Sequence, residues 1–422
     1  MKHFVFVESN TTGTGGIAVQ RLLAGDHRVT FLTRTPKKYP FLERGGLNLR
    51  IREVDTNDLP LLLAVLGEAQ REEGIDAVLT LSEFYVPAVA ELAAALGLPG
   101  LNPEAARVCR HKPSTRRVLA NAGMRTPEFH LLDSKTQAQR LAPLMSYPCV
   151  VKPPSDSSSC GVRMVRTLAE FLAHFETLHA WRKNVRGQAL DGTVLVETLL
   201  DGPEYSVETF TTAAGVTHVI GVTDKHLSAA PHFVELGHDF PSRADTTITE
   251  LLASTVLQAL NAVGFDFGPA HTEIRLTQEG PAVVEINPRL AGGMIPELVK
   301  HATGIDILEA WISLLLGNGA DLTPARNDHA SIRFLTAANS GRLSAITGVE
   351  KASRIPCIRE VAVTGKRGTM VREAEDAYDR LGFVIASSPN LSFLDEALAD
   401  AVRRIHIEIE SVDRELAHSC AR

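Results

Sequence analysis

The segment Ala270–Gly293 constrains the fold more than any other stretch of the chain. Two apolar runs, Ala270–Leu276 and Ala282–Asn287, flank Gln278-Glu279-Gly280, a three-residue hairpin loop with glycine where a positive φ is required. In that register Leu276 faces Ala282, Glu273 faces Glu285 and His271 faces Asn287. Period-two alternation then puts Glu273, Glu285 and Asn287 on one face of the ribbon, and Ile274, Val284 and Ile286 on the other. Two carboxylates directly opposite repel by about 4 kcal/mol at about 4 Å and an effective dielectric of about 20. A hard divalent cation removes that repulsion, and two carboxylates plus an amide oxygen suit Mg²⁺ carrying a polyphosphate. Arg289 and the turn Leu290-Ala291-Gly292-Gly293 come next, ahead of a helix opened by Pro296. A cation and exposed N–H groups at that point suit a phosphate or a substrate carboxylate.

The rest of the chain frames this ribbon. His3–Ser9, Val29–Thr33 and Ala77–Thr80 read as strands, with Ile17–Leu23 and Val86–Leu96 as helices, which predicts a parallel sheet with crossover helices. Asn102-Pro103-Glu104 is an N-cap followed by Pro at the first helical position, and a further helix runs from about Pro113 to Gly123. From Cys149 the pattern changes to short strands with tight turns. Cys149–Lys152 and Gly161–Val165 lie side by side, and Thr193–Thr198 and Glu204–Thr211 flank Asp201-Gly202-Pro203 as a hairpin. Thr217–Val222 is another strand, Ile248–Val263 a helix, and Asp306 caps a helix that ends before Gly317. From about Asn327 a smaller α+β unit closes with a helix over Leu394–Ser411. The fold class is α/β and α+β multidomain, with a first boundary near residue 110.

Composition narrows the function classes. In 422 residues, 43 Lys and Arg against 50 Asp and Glu leave a net charge of −7, which argues against broad nucleic-acid or acidic-membrane binding. No run approaches the roughly 20 apolar residues of a membrane helix, and Phe4–Val7 is too short for a signal-peptide core. Cys109, Cys149, Cys160, Cys357 and Cys420 are scattered, odd in number and without a C-x-x-C, so a reduced, cytoplasmic protein is expected.

Several single residues carry chemical weight. Lys152, between Val150-Val151 and Pro153-Pro154, is costly to bury without an anionic partner. Ser155–Gly161 supplies hydroxyls and free N–H groups. Glu83 lies just beyond the end of a strand, where open α/β sheets place ligand groups; it suits a cationic substrate group, and nearly as well a helix macrodipole.

Glu273 and Glu285-Ile286-Asn287-Pro288-Arg289 resemble the metal-binding E…E-x-N-x-R segment of the ATP-grasp carboxylate–amine ligases. The resemblance implies an N-terminal αβ domain over 1–110, a lid subdomain over 111–190, a large subdomain over 191–326 and a C-terminal unit over 327–422. It implies ATP and Mg²⁺, or Mn²⁺, as cofactors. Lys112 and Lys152 would meet phosphate, Ser158 and Gly161 would close over it, Glu197 and Leu199 would meet adenine, and Glu204 the ribose. Glu273, Glu285 and Asn287 would hold metal. Arg289, Gly292 and Gly293 would hold substrate, and Arg289 would also stabilise developing charge.

The segment Pro231–Ser242 is similar to the substrate loop of the L-amino acid ligases that make dipeptides, which implies Glu235 and His238 near the reacting groups. Expected partners are amino acids, with a homodimer as in relatives, and neither nucleic acid nor membrane. An ATP-grasp carboxylase, or a formyl- or carbamoyl-phosphate-type ligase, is the alternative on the same fold; a nucleotide-binding regulator would not need a full metal set. Gly13-Thr14-Gly15-Gly16-Ile17-Ala18 also fits a dinucleotide turn, yet Thr33-Arg34 stands where that fold places an acid.

Overall fold

His3–Val7 is buried along its whole length, and the reason lies on both of its faces. In the computed structural model, which describes residues 1–11, 13–44 and 46–411, this strand is central to a four-stranded parallel sheet. The order is Leu49–Glu53, Arg28–Thr33, His3–Val7, Ala77–Leu79. Val5 and Val7 pack with Leu62 and Leu66 of the helix Leu59–Glu72. Phe4 and Phe6 share a core with Leu298 and Trp311, from the helices Ile295–Thr303 and Ile307–Leu315. Alternate residues of one strand thus join the N-terminal sheet to the middle of the chain. The strand Leu49–Glu53 and helix Leu59–Glu72 were not read from the sequence; the former is an edge strand of mostly exposed, charged residues.

An eight-stranded antiparallel sheet forms the centre, ordered Gly280–Asn287, Gly268–Thr277, Glu204–Thr211, Thr217–Leu227, Glu235–Phe240, His329–Thr336, Arg380–Ser388, Ile358–Val363. The helix Thr246–Ala262, capped by Asp245, covers one face through Leu252 and Val256, which meet Val207, Ile274 and Val283. A separate four-stranded sheet, Phe129–Leu132, Val194–Thr198, Cys149–Lys152, Arg163–Val165, packs its own core against the helix Leu168–His179. The expected pairing of Cys149–Lys152 with the returning strand is present.

Four expectations are corrected. Val194–Thr198 and Glu204–Thr211 do not form a hairpin; they belong to different sheets, and Asp201-Gly202-Pro203 carries the chain between them. Glu204–Thr211 instead pairs on both sides, because its buried residues suit the middle of a sheet. Glu273 does face Glu285 and His271 faces Asn287, but a bulge shifts the register beyond them: Ile274 faces Val283 and Leu276 faces Pro281. Val283, not Val284, therefore enters the apolar core. Gly280, at φ +112°, already pairs with Thr277, so the loop has two residues, Gln278-Glu279. At the C-terminal end the helix spans Leu391–Arg404, and His406–Glu410 is a strand on Gly341–Thr347. The alternation of Ile407 and Ile409 with polar neighbours explains it. Beyond Asn327, three strands extend the central sheet. No described helix is long and apolar enough to cross a membrane. Cys420 lies outside the described residues; Cys109, Cys149, Cys160 and Cys357 are free thiols.

Candidate active-site cleft

The four-stranded and eight-stranded antiparallel sheets face each other across an open cleft. One wall carries Lys152, Glu197, Leu199 and the loop residues Asp156–Cys160; the other carries Glu204, Lys225, Glu235, His238, Glu273 and Glu285. Lys112 and Arg116 enter from the helix Lys112–Asn121, and Arg289, Gly292 and Gly293 from the turn after the ribbon.

On the first wall the buried lysine finds its anion within the protein. Lys152 Nζ lies 2.5 Å from Glu197 Oε2, and Arg116 Nε donates to Glu197 Oε1 at 2.8 Å. Arg116 is fully buried and also donates to the carbonyls of Val283 and Val284, at 3.0 and 2.6 Å. Burial works against the charged Glu197 carboxyl, but Arg116 and Lys152 outweigh it and hold its pKa down to about 2. Glu197 is thus an ion-pair centre, while Thr198, Leu199 and Leu200 offer the hinge-side lining.

The opposite wall has the reverse arrangement, with a cation, Lys225, at the centre of three acids. Lys225 Nζ lies 2.8 Å from Glu204, 2.9 Å from Glu235 and 2.8 Å from Glu273. Burial opposes the charged lysine, yet these carboxylates hold its pKa well above the ordinary value. Arg275 pairs with Glu204 at 2.8 Å, and Arg380 with Glu235 at 2.8 Å. His271 bridges Glu208 (3.0 Å) and Glu273 (3.4 Å); despite burial, Glu208 foremost raises its pKa to about 10. The repulsion expected between Glu273 and Glu285 is therefore relieved without a metal: Lys225 serves Glu273, and Lys112 Nζ sits 2.9 Å from Glu285.

The oxygen donors still fit a hard cation. Glu273 and Glu285 stand in register on adjacent strands. Asn287 Nδ2 donates to Glu285 Oε1 at 2.9 Å and orients it. Among the described residues no cluster of three or more His, Cys, Asp or Glu side chains forms a complete cage. Two carboxylates and an amide suit a Mg²⁺ whose remaining ligands are water and phosphate.

His238 is 1% exposed and, among the described residues, neither ring nitrogen has a hydrogen-bond partner. Burial lowers its pKa to about 3, so the ring is neutral at pH 7. It stands edge-on to Phe334, 3.8 Å from Glu235 Oε2, and a Cβ on Gly293 would meet its Nε2 at 2.6 Å. Glu83 does not line the cleft; it reaches it through Arg289, whose Nε is 2.6 Å from Glu83 Oε2. Gly161 and Asn287 also stand behind the lining. Gly161, at φ +70°, packs where a Cβ would strike Leu178 and Trp181, so it shapes the loop. Ser158 does line the cleft, and its carbonyl accepts from Ala377 N–H at 3.2 Å.

Sequence reasoning missed Lys225, Arg116, His271, Arg275 and Arg380. Lys225 had a signal, since alternation from Val222 puts Thr223 and Lys225 on one strand face and a buried lysine requires an anion. Arg116 and Arg380 had none, because helix-borne and loop-adjacent arginines are ordinarily solvated.

The chain is similar to known proteins along most of its length. A family model described as the ATP-grasp domain matches residues 145–297. The ATP-grasp N-terminal domain matches 27–100, and the L-amino acid ligase C-terminal domain 2 matches 333–410. The uncharacterized protein y4rH of Sinorhizobium fredii is 30% identical over 409 residues, covering 96% of this chain and 83% of that one. The alanine–anticapsin ligase of Bacillus amyloliquefaciens is 24% identical over 59% of this chain and 56% of its own length, so the chain spans little more than half of it. In fold, an L-amino acid ligase from Bacillus licheniformis superposes with a TM-score of 0.81 at 24% identity, covering 97% of this chain and 99% of the other. The β,γ-ATP complex of biotin carboxylase from Campylobacter jejuni gives 0.70 at 16% identity, over 97% and 92%.

Proposed function

Because the chain belongs to the ATP-grasp superfamily, we propose that it is an ATP-dependent ligase joining two amino acids through an amide bond. The observation that carries this reading is the in-register pair Glu273 and Glu285, opening onto the same cleft as Lys112, Lys152 and Lys225. Mg·ATP supplies a transferable phosphoryl group whose charge is already partly neutralised. Glu273, Glu285 and the Asn287 amide oxygen would hold the metal, and Lys112, Lys152 and Lys225 would take phosphate oxygens. Thr198–Leu200 would line the adenine end and Glu204 the ribose end.

A substrate carboxylate oxygen attacks the γ-phosphorus and ADP leaves, giving an acyl phosphate. The amine of the second amino acid attacks the acyl carbon, phosphate leaves, and the new amide nitrogen loses a proton. Arg289, anchored by Glu83, would steady the acyl oxygen as charge develops. Neutral His238, whose ring nitrogens have no partner among the described residues, would accept a hydrogen bond from the amine and orient it, and Glu235 beside it would draw the ammonium form in. Such catalysis is mainly positioning and charge neutralisation.

ADP release over a matrix of amino-acid pairs tests the reading, with bicarbonate and ammonia alongside. Amino-acid pairs should stimulate it; stimulation by bicarbonate alone would reassign the enzyme to the carboxylases. Glu285→Ala should abolish phosphate release while the circular dichroism spectrum stays native, and wild-type turnover in that variant would remove the metal assignment.

A further inference from the structure

Outside the cleft, the connection between the helix Leu168–His179 and the strand Val194–Thr198 folds into a finger. Lys183 and Ala189 bridge antiparallel, and the Asn184 amide oxygen accepts from the N–H groups of Arg186 (2.9 Å) and Gln188 (3.1 Å). Gly187 turns the tip at φ +74°, where a Cβ would meet Arg34 Nη1 at 2.5 Å. The finger's stem is part of the four-stranded-sheet unit. Its tip bonds to the N-terminal parallel-sheet unit.

Arg186 Nη2 donates to Ser9 O and Nη1 to the Tyr39 hydroxyl, both at 2.9 Å. The Arg186 carbonyl accepts from Arg34 Nη1 and Asn57 Nδ2, both at 3.1 Å. Gln188 Nε2 donates to Phe84 O at 3.1 Å. Tyr39 in turn donates to buried Glu8, which also accepts from the Thr33 and Thr56 hydroxyls. Ser9 follows the strand His3–Val7, and Phe84 follows Ala77–Leu79. These strands are neighbours at the point where the sheet order reverses, the place open α/β sheets use for ligands. Phe84 adjoins Glu83, the partner of Arg289.

We propose that the Asn184–Gln188 finger is a latch, and that Arg186 and Gln188 are positioning residues which couple closure of the nucleotide cleft to the placement of Glu83 against Arg289. This rests on the nucleotide reading of the cleft. A nucleotide held between two sheets enters when they part, and parting withdraws the finger from the crevice. On closure Arg186 braces the loop after the first strand, and Gln188 braces the turn that carries Glu83. Each bond exchanges with water at small net gain, so the latch can reopen. Nucleotide bound in the cleft would thereby tighten Glu83 against Arg289 at the amino-acid end of the same cleft, and the coupling must be reciprocal.

Trypsin supplies the test, because the bond after Arg186 is cut only when the finger is undocked. In the full wild-type chain, saturating Mg·ADP should slow cleavage between Arg186 and Gly187 about tenfold or more, followed by mass spectrometry. The double variant Arg34→Ala/Asn57→Ala, and separately Gly187→Ala, should lose that protection while calorimetry finds Mg·ADP bound within about threefold of wild-type affinity. Equal cleavage with and without Mg·ADP in wild type, with calorimetry showing the nucleotide bound, would overturn the latch and spare the nucleotide reading. Protection unchanged in both variants would also overturn it. Absence of Mg·ADP binding would overturn latch and nucleotide reading together.

Discussion

The two walls of the cleft solve the same electrostatic problem with opposite signs. On one, a single carboxylate, Glu197, is held by two cations, Arg116 and Lys152. On the other, the hub is a cation, Lys225, held by three carboxylates, Glu204, Glu235 and Glu273, whose outer partners are Arg275, Arg380 and His271. A cation-rich wall suits phosphate oxygens; a carboxylate-rich wall suits metal and ammonium groups. The contrast teaches that the hub of each cluster carries its stability, because removing a hub strands like charges out of water.

Lys225→Met should have the largest effect. It removes the partner that three carboxylates share, leaving Glu204 to Arg275, Glu235 to Arg380 and Glu273 to His271, and should cost about 3–5 kcal/mol in denaturant unfolding, with loss of ADP formation. Adding Glu273→Gln should return part of that stability; no recovery would mean the three acids do not act as one cluster.

Glu197→Gln should cost about 3 kcal/mol, by stranding Arg116 and Lys152. The pH dependence gives it a signature. The Glu197 carboxyl is held down to about 2 from 4.5, so its contribution is present above pH 4.5 and is lost as pH falls toward 2. The stability gap between wild type and variant should narrow over that window, and a gap independent of pH would show that Glu197 is not the ionised hub.

The smallest effect belongs to the margin of the Lys225 cluster. His271 is raised to about 10 from 6.5, so its contribution is full below pH 6.5 and is lost as pH rises toward 10. His271→Gln should flatten the decline of stability across that alkaline window. An unchanged slope would remove His271 from the charge balance of Glu208 and Glu273.

Local pattern was a good guide to some of this and a poor one elsewhere. The Glu273–Glu285 register, the helix Val86–Leu96 and the caps Asn102 and Asp306 all follow from residues close in sequence. Asp201-Gly202-Pro203 joins strands of different sheets, since a turn signature does not say whether the strands it joins will pair. Simple alternation likewise breaks at the bulge beside Glu273, where one residue moves Val284 from the core face into the cleft lining. Repulsion between Glu273 and Glu285 does not by itself call for a metal, because lysines distant in sequence neutralise both acids.

The amino-acid sequence by itself determined the ribbon, its two facing glutamates, the parallel N-terminal sheet and the cation-and-glycine turn at Arg289. Periodicity and turn chemistry act over a few residues, so these features could be read directly. Only the tertiary structure decided that Arg116 meets Glu197, that Lys225 gathers acids from three other strands, and that a finger at Arg186 reaches Ser9. Those choices join positions far apart in the chain, and they are made by burial: a charge leaving water takes whichever opposite charge the packed sheets bring within reach.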